Sequence, residues 1–172
     1  LIIIPSRMSA TRLPGKPLLK INGKSIISHV FKRAESANIG EVIVATEDQE
    51  IIDEVKINGG NAILTSKNHK TGTDRIHEAL KLLDIKDCDF IMNVQGDEPD
   101  IDSNDIISLD SKMKLNKSQI GTLAANIQSE EMYDNENLVK VKIKESFDTN
   151  SFPLAENFIR KLNISEKHNI YH

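Results

Sequence analysis

Short apolar runs alternating with amphipathic segments of about 10–15 residues predict an α/β protein, a mainly parallel sheet with helices on both faces. Two junctions support that class. The apolar run 1–5 ends at Pro5 and opens into a loop rich in Gly, Pro and base, and the run 89–94 leads into Gln95-Gly-Asp-Glu-Pro99. In doubly wound sheets such strand-to-loop junctions face ligands across the C-terminal strand edge.

Residues 1–5 are continuously apolar and read as a buried strand. Residues 7–24 read as a long loop. Residues 25–37 set Ile26, Ile27, Val30 and Phe31 at helical spacing behind Ser25, a candidate N-cap. Residues 42–46 form a second strand, and 48–58 a helix capped by Asp48 and stopped by Gly59 and Gly60. Residues 61–65 are a third strand. Residues 73–84 place Ile76, Leu80 and Leu83 on one helical stripe, with Thr73 or Asp74 as its cap. A fourth strand at 89–94 and a helix at 102–115 follow. Residues 120–127 and 138–143 read as further strands, and their shorter connections allow one of them to be antiparallel. Residues 145–172 are polar and without a clear period. The chain carries no repeats, low-complexity tracts or heptads. The right-handed crossover rule limits the topologies, and a 3-2-1-4 strand order would set the C-terminal ends of strands one and four side by side at the switch point.

The 172 residues suit one α/β domain over 1–172 with a real core. The chain starts at Leu1 inside an apparent strand and stops at His172, so part of the natural protein is expected to be missing at the C-terminal end. No apolar run approaches the ~20 residues of a membrane helix, so no membrane insertion is expected. The lone Cys88 can form no internal disulfide and reads as a small buried hydrophobe, which suits a reducing compartment such as the cytoplasm. A net charge of −4 argues against a general nucleic-acid binder. The distribution is uneven, however. Residues 1–34 hold seven Lys or Arg and no acid, whereas 41–54 hold six acids and no base. A basic segment inside an acidic chain predicts a local anionic ligand.

Three segments carry chemistry. The loop after the first strand puts Arg7, Arg12 and Lys16 around Gly15. A triphosphate carries about four negative charges and needs fixed cations and free backbone N–H groups. Pro14 and Pro17 stiffen the loop and lower its ordering cost. Taken alone, the segment also reads as a solvated basic loop, and it is not a Walker loop. The turn after the fourth strand presents Asp97 beside Glu98, with Asp100 close behind. Mg²⁺ takes one or two carboxylates and completes its shell with phosphate and water, so Asp97 is the first-choice metal ligand. Alone, it is also an ordinary Asp turn. At 69–75, His-Lys-Thr-Gly-Thr-Asp-Arg opens a helix. Its small residues suit hydrogen bonds to a nucleobase, or simply a cap. Arg75 opposes the helix dipole there and calls for a compensating anion or base edge. His29 and His77 sit in helical patterns and read as structural or solvated.

P-S-R-x-x-x-T-R-L-P-G-K-P-L, H-x-T-G-T-D-R and N-V-Q-G-D-E-P, in that order and spacing, resemble the 3-deoxy-manno-octulosonate (Kdo) cytidylyltransferases, the CMP-Kdo synthetase family. Asn137-Leu-Val-Lys-Val141 fits the strand that follows the metal loop in that family. The resemblance covers roughly residues 1–143. It implies a Rossmann-like nucleotidyltransferase fold, a homodimer, and transfer of CMP from CTP to Kdo with Mg²⁺ and release of pyrophosphate, forming CMP-Kdo for lipopolysaccharide biosynthesis. By the same resemblance, Arg7 and Lys16 hold the triphosphate, with Arg12 in the same loop. Thr71, Thr73 and Arg75 lie near cytosine and ribose, Gln95 faces the nucleotide–sugar junction, and Asp97 binds magnesium. The chain departs from the family's usual Ala, Ser and Ser at Ser6, Ala10 and Thr71. Phe158-Ile-Arg160 follows the family's F-S-R segment only in part. The family's later sugar-binding region and second metal aspartate would lie beyond His172, so the chain as given is expected to bind nucleotide without completing the reaction. A transferase for another acidic sugar such as sialic acid, or a non-catalytic nucleotide-binding domain, stands as the alternative.

Overall fold

The structure, a computed structural model, describes residues 1–9, 13–145, 151–162 and 169–172. The chain divides into two compact units, Leu1–Asp110 and Ser111–His172.

The first unit is built on four parallel strands. β1 (Ile2–Ser6) is followed by a 3₁₀ turn (Lys16–Leu18) and a small hairpin of β2 (Lys20–Ile21) and β3 (Lys24–Ser25), then by α1 (Ile26–Ser36). β4 (Val42–Thr46), α2 (Gln49–Ile57), β5 (Asn61–Leu64), α3 (Gly72–Leu82) and β6 (Met92–Asn93) complete the βα alternation, and α4 (Ser103–Asn116) begins after it. The sheet order is β5-β4-β1-β6, which is the 3-2-1-4 order. Ser6 lies opposite Thr46 in the β1–β4 register. β6 is shorter than the run 89–94, but the Val94 N–H still donates to the Ile3 carbonyl at 3.2 Å and carries the strand direction on to Gln95.

Alternation along β1 explains the layers. Ile2 and Ile4 face a core with Val44, α1, α2 and Ile106 of α4, while Ile3 faces Ile76 and Ala79 of α3. Helices therefore cover both faces. Ile2, Ile3 and Ile4 are completely buried, and each such side chain contributes roughly 1.5–3 kcal/mol. Within the segment read as a loop, residues 16–18 form a 3₁₀ turn and Lys20–Ser25 a small hairpin, which supply local backbone partners.

Caps sit partly where expected. The Ser25 hydroxyl accepts from the Ser28 N–H at 3.2 Å. Asp48 occupies the N-cap position of α2 but makes no side-chain cap; its carboxylate accepts from the Met8 N–H at 2.7 Å and ties the β1 loop to β4. The cap of α3 is Thr71, not Thr73 or Asp74. Its hydroxyl accepts from the Asp74 N–H at 3.1 Å, and the Asp74 carboxylate accepts from the Thr71 N–H at 3.1 Å, a reciprocal box. Asp74 sits three residues on, as the acceptor that closes the box.

In the second unit β7 (Lys140–Ile143) pairs antiparallel with both β8 (Ala155–Ile159) and β9 (Ile170–Tyr171), and α5 (Glu130–Asp134) is a short helix. Residues 120–127 do not form the expected strand. Among the described residues they reach only a single bridge, Asn126 to Tyr171, with Ala125 and His172 exchanging backbone bonds beside it. Ile120 is 92% and Leu123 43% exposed, so the larger apolar side chains at the start of that stretch gain little burial from a ladder. Lys140 is fully buried, and its ammonium donates to the carbonyls of Asn135 and Arg160 at 2.6 and 2.8 Å. Among the described residues, no helix is long and apolar enough to cross a membrane.

Candidate functional site

At the C-terminal edge of the parallel sheet a cavity is lined by the end of β1 (Pro5, Ser6, Arg7), the 3₁₀ turn (Lys16, Pro17), the start of α3 (His69, Lys70, Thr71, Gly72, Arg75) and the turn after β6 (Gln95, Gly96, Asp97). The three segments singled out in the sequence thus converge on one space. Sheet topology brings them there, since β1 and β6 are neighbours and α3 packs across β1.

The sharpest contact is between Lys16 and Asp97. The ammonium donates to the carboxylate at 2.8 Å across 81 residues of sequence, and both side chains stay accessible, at 32% and 57%. A candidate phosphate cation and the candidate metal carboxylate therefore share one mouth. Partial desolvation, then the Asp97 charge, pushes the neighbouring Glu98 carboxyl above its ordinary value, with Lys16 opposing. Glu98 lies outside the cavity lining, whereas Asp97 is part of it.

Gly15 does not line the cavity. It starts the 3₁₀ turn at φ 73°, a left-handed backbone that favours glycine, and its N–H donates to the Met8 carbonyl at 2.9 Å. Its contribution is the turn that presents Lys16. Arg7 is exposed at the rim. Arg12 lies outside the described residues. Gln95 is exposed and donates to the Asn93 side chain at 3.2 Å.

The start of α3 departs most from the sequence picture. Thr71 lines the cavity, but its hydroxyl is engaged by Asp74, which it meets at 2.8 Å. That hydrogen bond is the largest of the influences that hold the Asp74 carboxyl below its ordinary value. Thr73 is exposed on the first turn and outside the lining. Arg75 is buried, 3% exposed, and its guanidinium meets the Glu47 carboxylate, the Thr65 hydroxyl at 2.6 Å and the Ser66 carbonyl at 3.3 Å. The anion that Arg75 needed at a helix start is supplied by the chain itself.

Glu78 completes this support. Its carboxylate accepts from the Ser66 N–H at 2.8 Å and pairs with the His69 ring. Ser66 is thus held at its carbonyl by Arg75 and at its N–H by Glu78, which fixes the loop that carries His69, Lys70 and Thr71 to the cavity. The His69 hydrogen bond, then the Ser66 N–H, holds the Glu78 carboxyl below its ordinary value of 4.5. Glu78 therefore contributes stability that is complete above 4.5 and is lost as pH falls through its lowered folded-state value. Acid titrations of unfolding should show a stability gap between wild type and Glu78→Gln that closes as the pH drops below 4.5; a gap constant across that range would exclude the role.

The sequence motif contains His69 and Lys70 without assigning either a role, and Glu47 and Glu78 fall outside all three motifs. Glu47 directly follows strand 42–46 in the acid-only stretch, and Glu78 lies three residues after Arg75 on the same helix; these were the available signals.

Gly96 holds the turn against β1. A Cβ there would lie 2.8 Å from the Pro5 carbonyl oxygen, so Gly96→Ala must displace backbone. We expect it to cost about 1–3 kcal/mol in urea unfolding. A loss below the error of that measurement would mean the two strand ends separate freely.

The cytidylyltransferase family model matches residues 1–171, essentially the whole chain. The chain belongs to the cytidylyltransferase family. Within it, the chain is 46% identical over 142 residues to a 3-deoxy-manno-octulosonate cytidylyltransferase of Rhodopseudomonas palustris (strain HaA2), covering 82% of this chain and 58% of the relative. It is 45% identical over 158 residues to that of Thermodesulfovibrio yellowstonii, covering 88% and 60%. The chain therefore spans less than two thirds of the length of these relatives. A solved CMP:2-keto-3-deoxy-manno-octonic acid synthetase complexed with CTP superposes with a TM-score of 0.83 at 35% identity, covering 99% of this chain and 69% of that one. A 4-diphosphocytidyl-2C-methyl-D-erythritol synthase, at 13% identity and a TM-score of 0.55, shares the fold. The resemblance of the three motifs to the Kdo cytidylyltransferases is borne out, and so is the Rossmann-like nucleotidyltransferase fold.

Proposed function

We propose that the protein transfers CMP from CTP to Kdo and releases pyrophosphate, the cytidylyltransferase step that activates Kdo for lipopolysaccharide biosynthesis. The observation that carries this reading is the Lys16–Asp97 pair at the mouth of a cavity where all three motifs meet. A pure binder of nucleotide has no need of a carboxylate beside its phosphate cation. The relatives' names and the CTP-bound structure supply the substrate class.

In the proposed reaction the hydroxyl on the anomeric carbon of Kdo attacks the α-phosphorus of CTP in line. The new P–O bond forms as the α–β phosphoanhydride bond breaks, pyrophosphate leaves with the electron pair, and the hydroxyl proton passes to solvent. Catalysis of this kind rests on positioning and charge neutralisation. Arg7 and Lys16 would hold the triphosphate and stabilise the charge that builds on the departing pyrophosphate. Gln95 would face the junction of nucleotide and sugar. Thr71 and Arg75 would act through the shape of the α3 start, with Thr73 at its edge.

The donor set fits a magnesium ion that arrives with the nucleotide. Among the described residues, no cluster of three or more His, Cys, Asp or Glu could cage a metal. One accessible carboxylate is what Mg²⁺ needs when phosphates and water fill the rest of its shell. Asp97 would hold it, and Lys16 would then turn from Asp97 to phosphate. A bound magnesium ion supplies positive charge at the phosphate oxygens and lowers the pKa of an incoming hydroxyl. The same reading includes a homodimer and a cytoplasmic location, the latter in keeping with the free, half-buried Cys88 thiol.

The test is pyrophosphate release by the full-length protein with CTP or UTP against Kdo or sialic acid, with and without Mg²⁺. Release only with CTP, Kdo and Mg²⁺ supports the proposal. Release with sialic acid in place of Kdo moves the assignment to another acidic sugar. Folded protein that binds CTP and releases nothing with any pair overturns the enzymatic reading.

A further inference from the structure

Asp48 stands where α2 should be capped, and its side chain does not cap it. Its backbone is in place for the task. At φ −110° and ψ 121° it is extended, as an N-cap requires, and its carbonyl accepts from the Ile51 and Ile52 N–H groups at 3.2 and 3.3 Å. Aspartate is among the preferred residues at that position, so a carboxylate turned elsewhere calls for a reason.

The carboxylate goes to the loop after β1. It accepts from the Met8 N–H at 2.7 Å across 40 residues of sequence. The Met8 carbonyl accepts in turn from the Gly15 N–H at 2.9 Å, and Gly15 opens the 3₁₀ turn that presents Lys16. Met8 is thereby held at both backbone groups, with Arg7 bonded to one side of it and the Gly15-Lys16 pair hydrogen-bonded to the other. Asp48 is itself fixed. Its N–H donates to the Thr46 hydroxyl at 3.2 Å, and Thr46 is fully buried at the end of β4. The anchor therefore runs from the sheet through Asp48 and Met8 to the segment that carries both candidate phosphate cations. A hydrogen bond from a backbone N–H to a carboxylate is charge-assisted, roughly twice as strong as a neutral one.

We propose that Asp48 is a positioning residue for triphosphate binding: it forgoes the cap of α2 and fixes, through Met8, the places of Arg7 and Lys16. It lies outside the cavity lining and acts through the loop alone. The inference rests on the nucleotide reading of the cavity, in which those two cations hold the triphosphate. Cations ordered before binding need not be ordered during it, so the tie works as affinity for phosphates.

Two variants of the full-length protein test it. Asp48→Ser offers α2 a good cap oxygen on a side chain too short to reach Met8 as well. Asp48→Asn keeps an acceptor of full reach. Asp48→Ser should unfold in urea at the same or a higher midpoint and lose amide-exchange protection at Met8 and Gly15. By calorimetry it should bind CTP and pyrophosphate about 10- to 100-fold more weakly, the worth of one hydrogen bond to a charged group. Asp48→Asn should recover most of the affinity and the protection. Folded Asp48→Ser with unchanged CTP affinity or unchanged protection at Gly15 overturns the proposal. A lowered unfolding midpoint in Asp48→Ser also overturns it, since the carboxylate would then serve the fold, and so does an Asp48→Asn that binds CTP as weakly as Asp48→Ser. Wild type that binds no CTP overturns the nucleotide reading itself, a result distinct from the others.

Discussion

Asp97→Asn in the full-length protein should reduce magnesium-dependent pyrophosphate release from CTP and Kdo by at least the 10²–10³-fold, roughly, that follows loss of one preorganised electrostatic group. The substitution keeps the shape of the side chain and removes its charge. Its cost to the fold should be under about 1 kcal/mol, because the Lys16–Asp97 pair it breaks is accessible to water on both sides. Two further measurements separate catalysis from folding. Unfolding of Asp97→Asn should track wild type, and CTP binding without Mg²⁺ should be equal or tighter, since a negative charge has left the mouth of a site for a polyanion. A variant that keeps a tenth or more of wild-type turnover would remove Asp97 from the proposed chemistry.

The second large effect concerns stability. Arg75→Ala should destabilise the fold by about 3–5 kcal/mol, measured by urea unfolding, because it strands the Glu47 carboxylate in the interior. The Arg75 and Glu47 side chains are only 3% and 11% exposed, so water cannot replace the lost partner. The Thr65 hydroxyl and the Ser66 carbonyl lose their donor in the same step. The double variant Glu47→Gln with Arg75→Met removes both charges, and it should recover a substantial part of the loss, since a neutral buried pair carries no uncompensated charge. A loss under about 1 kcal/mol for Arg75→Ala alone would mean the loop 65–71 finds other anchors.

The same residue shows how far local reasoning reaches. Arg75 was legible as a cation at a helix start that needs an anion, which follows from the dipole of α3 alone. Which anion answers it was not legible. Glu47 lies 28 residues away in sequence, and only the packing of β4 beside the start of α3 brings the two together. Thr71 is a similar case. Thr71, Thr73 and Asp74 all have the composition of a cap, and the choice of Thr71 depends on where the chain leaves the sheet edge. Residues 120–127 show the reverse failure: strand-like composition whose Ile120 and Leu123 stay exposed, with a single bridge in place of a ladder.

For the central architecture, residue order was sufficient. Alternating apolar runs and amphipathic segments, with Ser25, Gly59 and Gly60 as local stops and starts, determined a parallel α/β sheet, and the crossover rule narrowed its topologies to a set that includes the observed 3-2-1-4 order. Those signals are local, carried within a strand or a few helical turns, and they survive without knowledge of the partner surface. Three long motifs likewise determined the cytidylyltransferase family. The pairing of Lys16 with Asp97, the internal use of Arg75 and the cap at Thr71 were decided by tertiary structure. Lys16–Asp97 and Arg75–Glu47 join groups distant in sequence, and even the local Thr71–Asp74 box depends on where the chain leaves the sheet. Their geometry depends on ångström-scale separations that only the packed sheet and helices set.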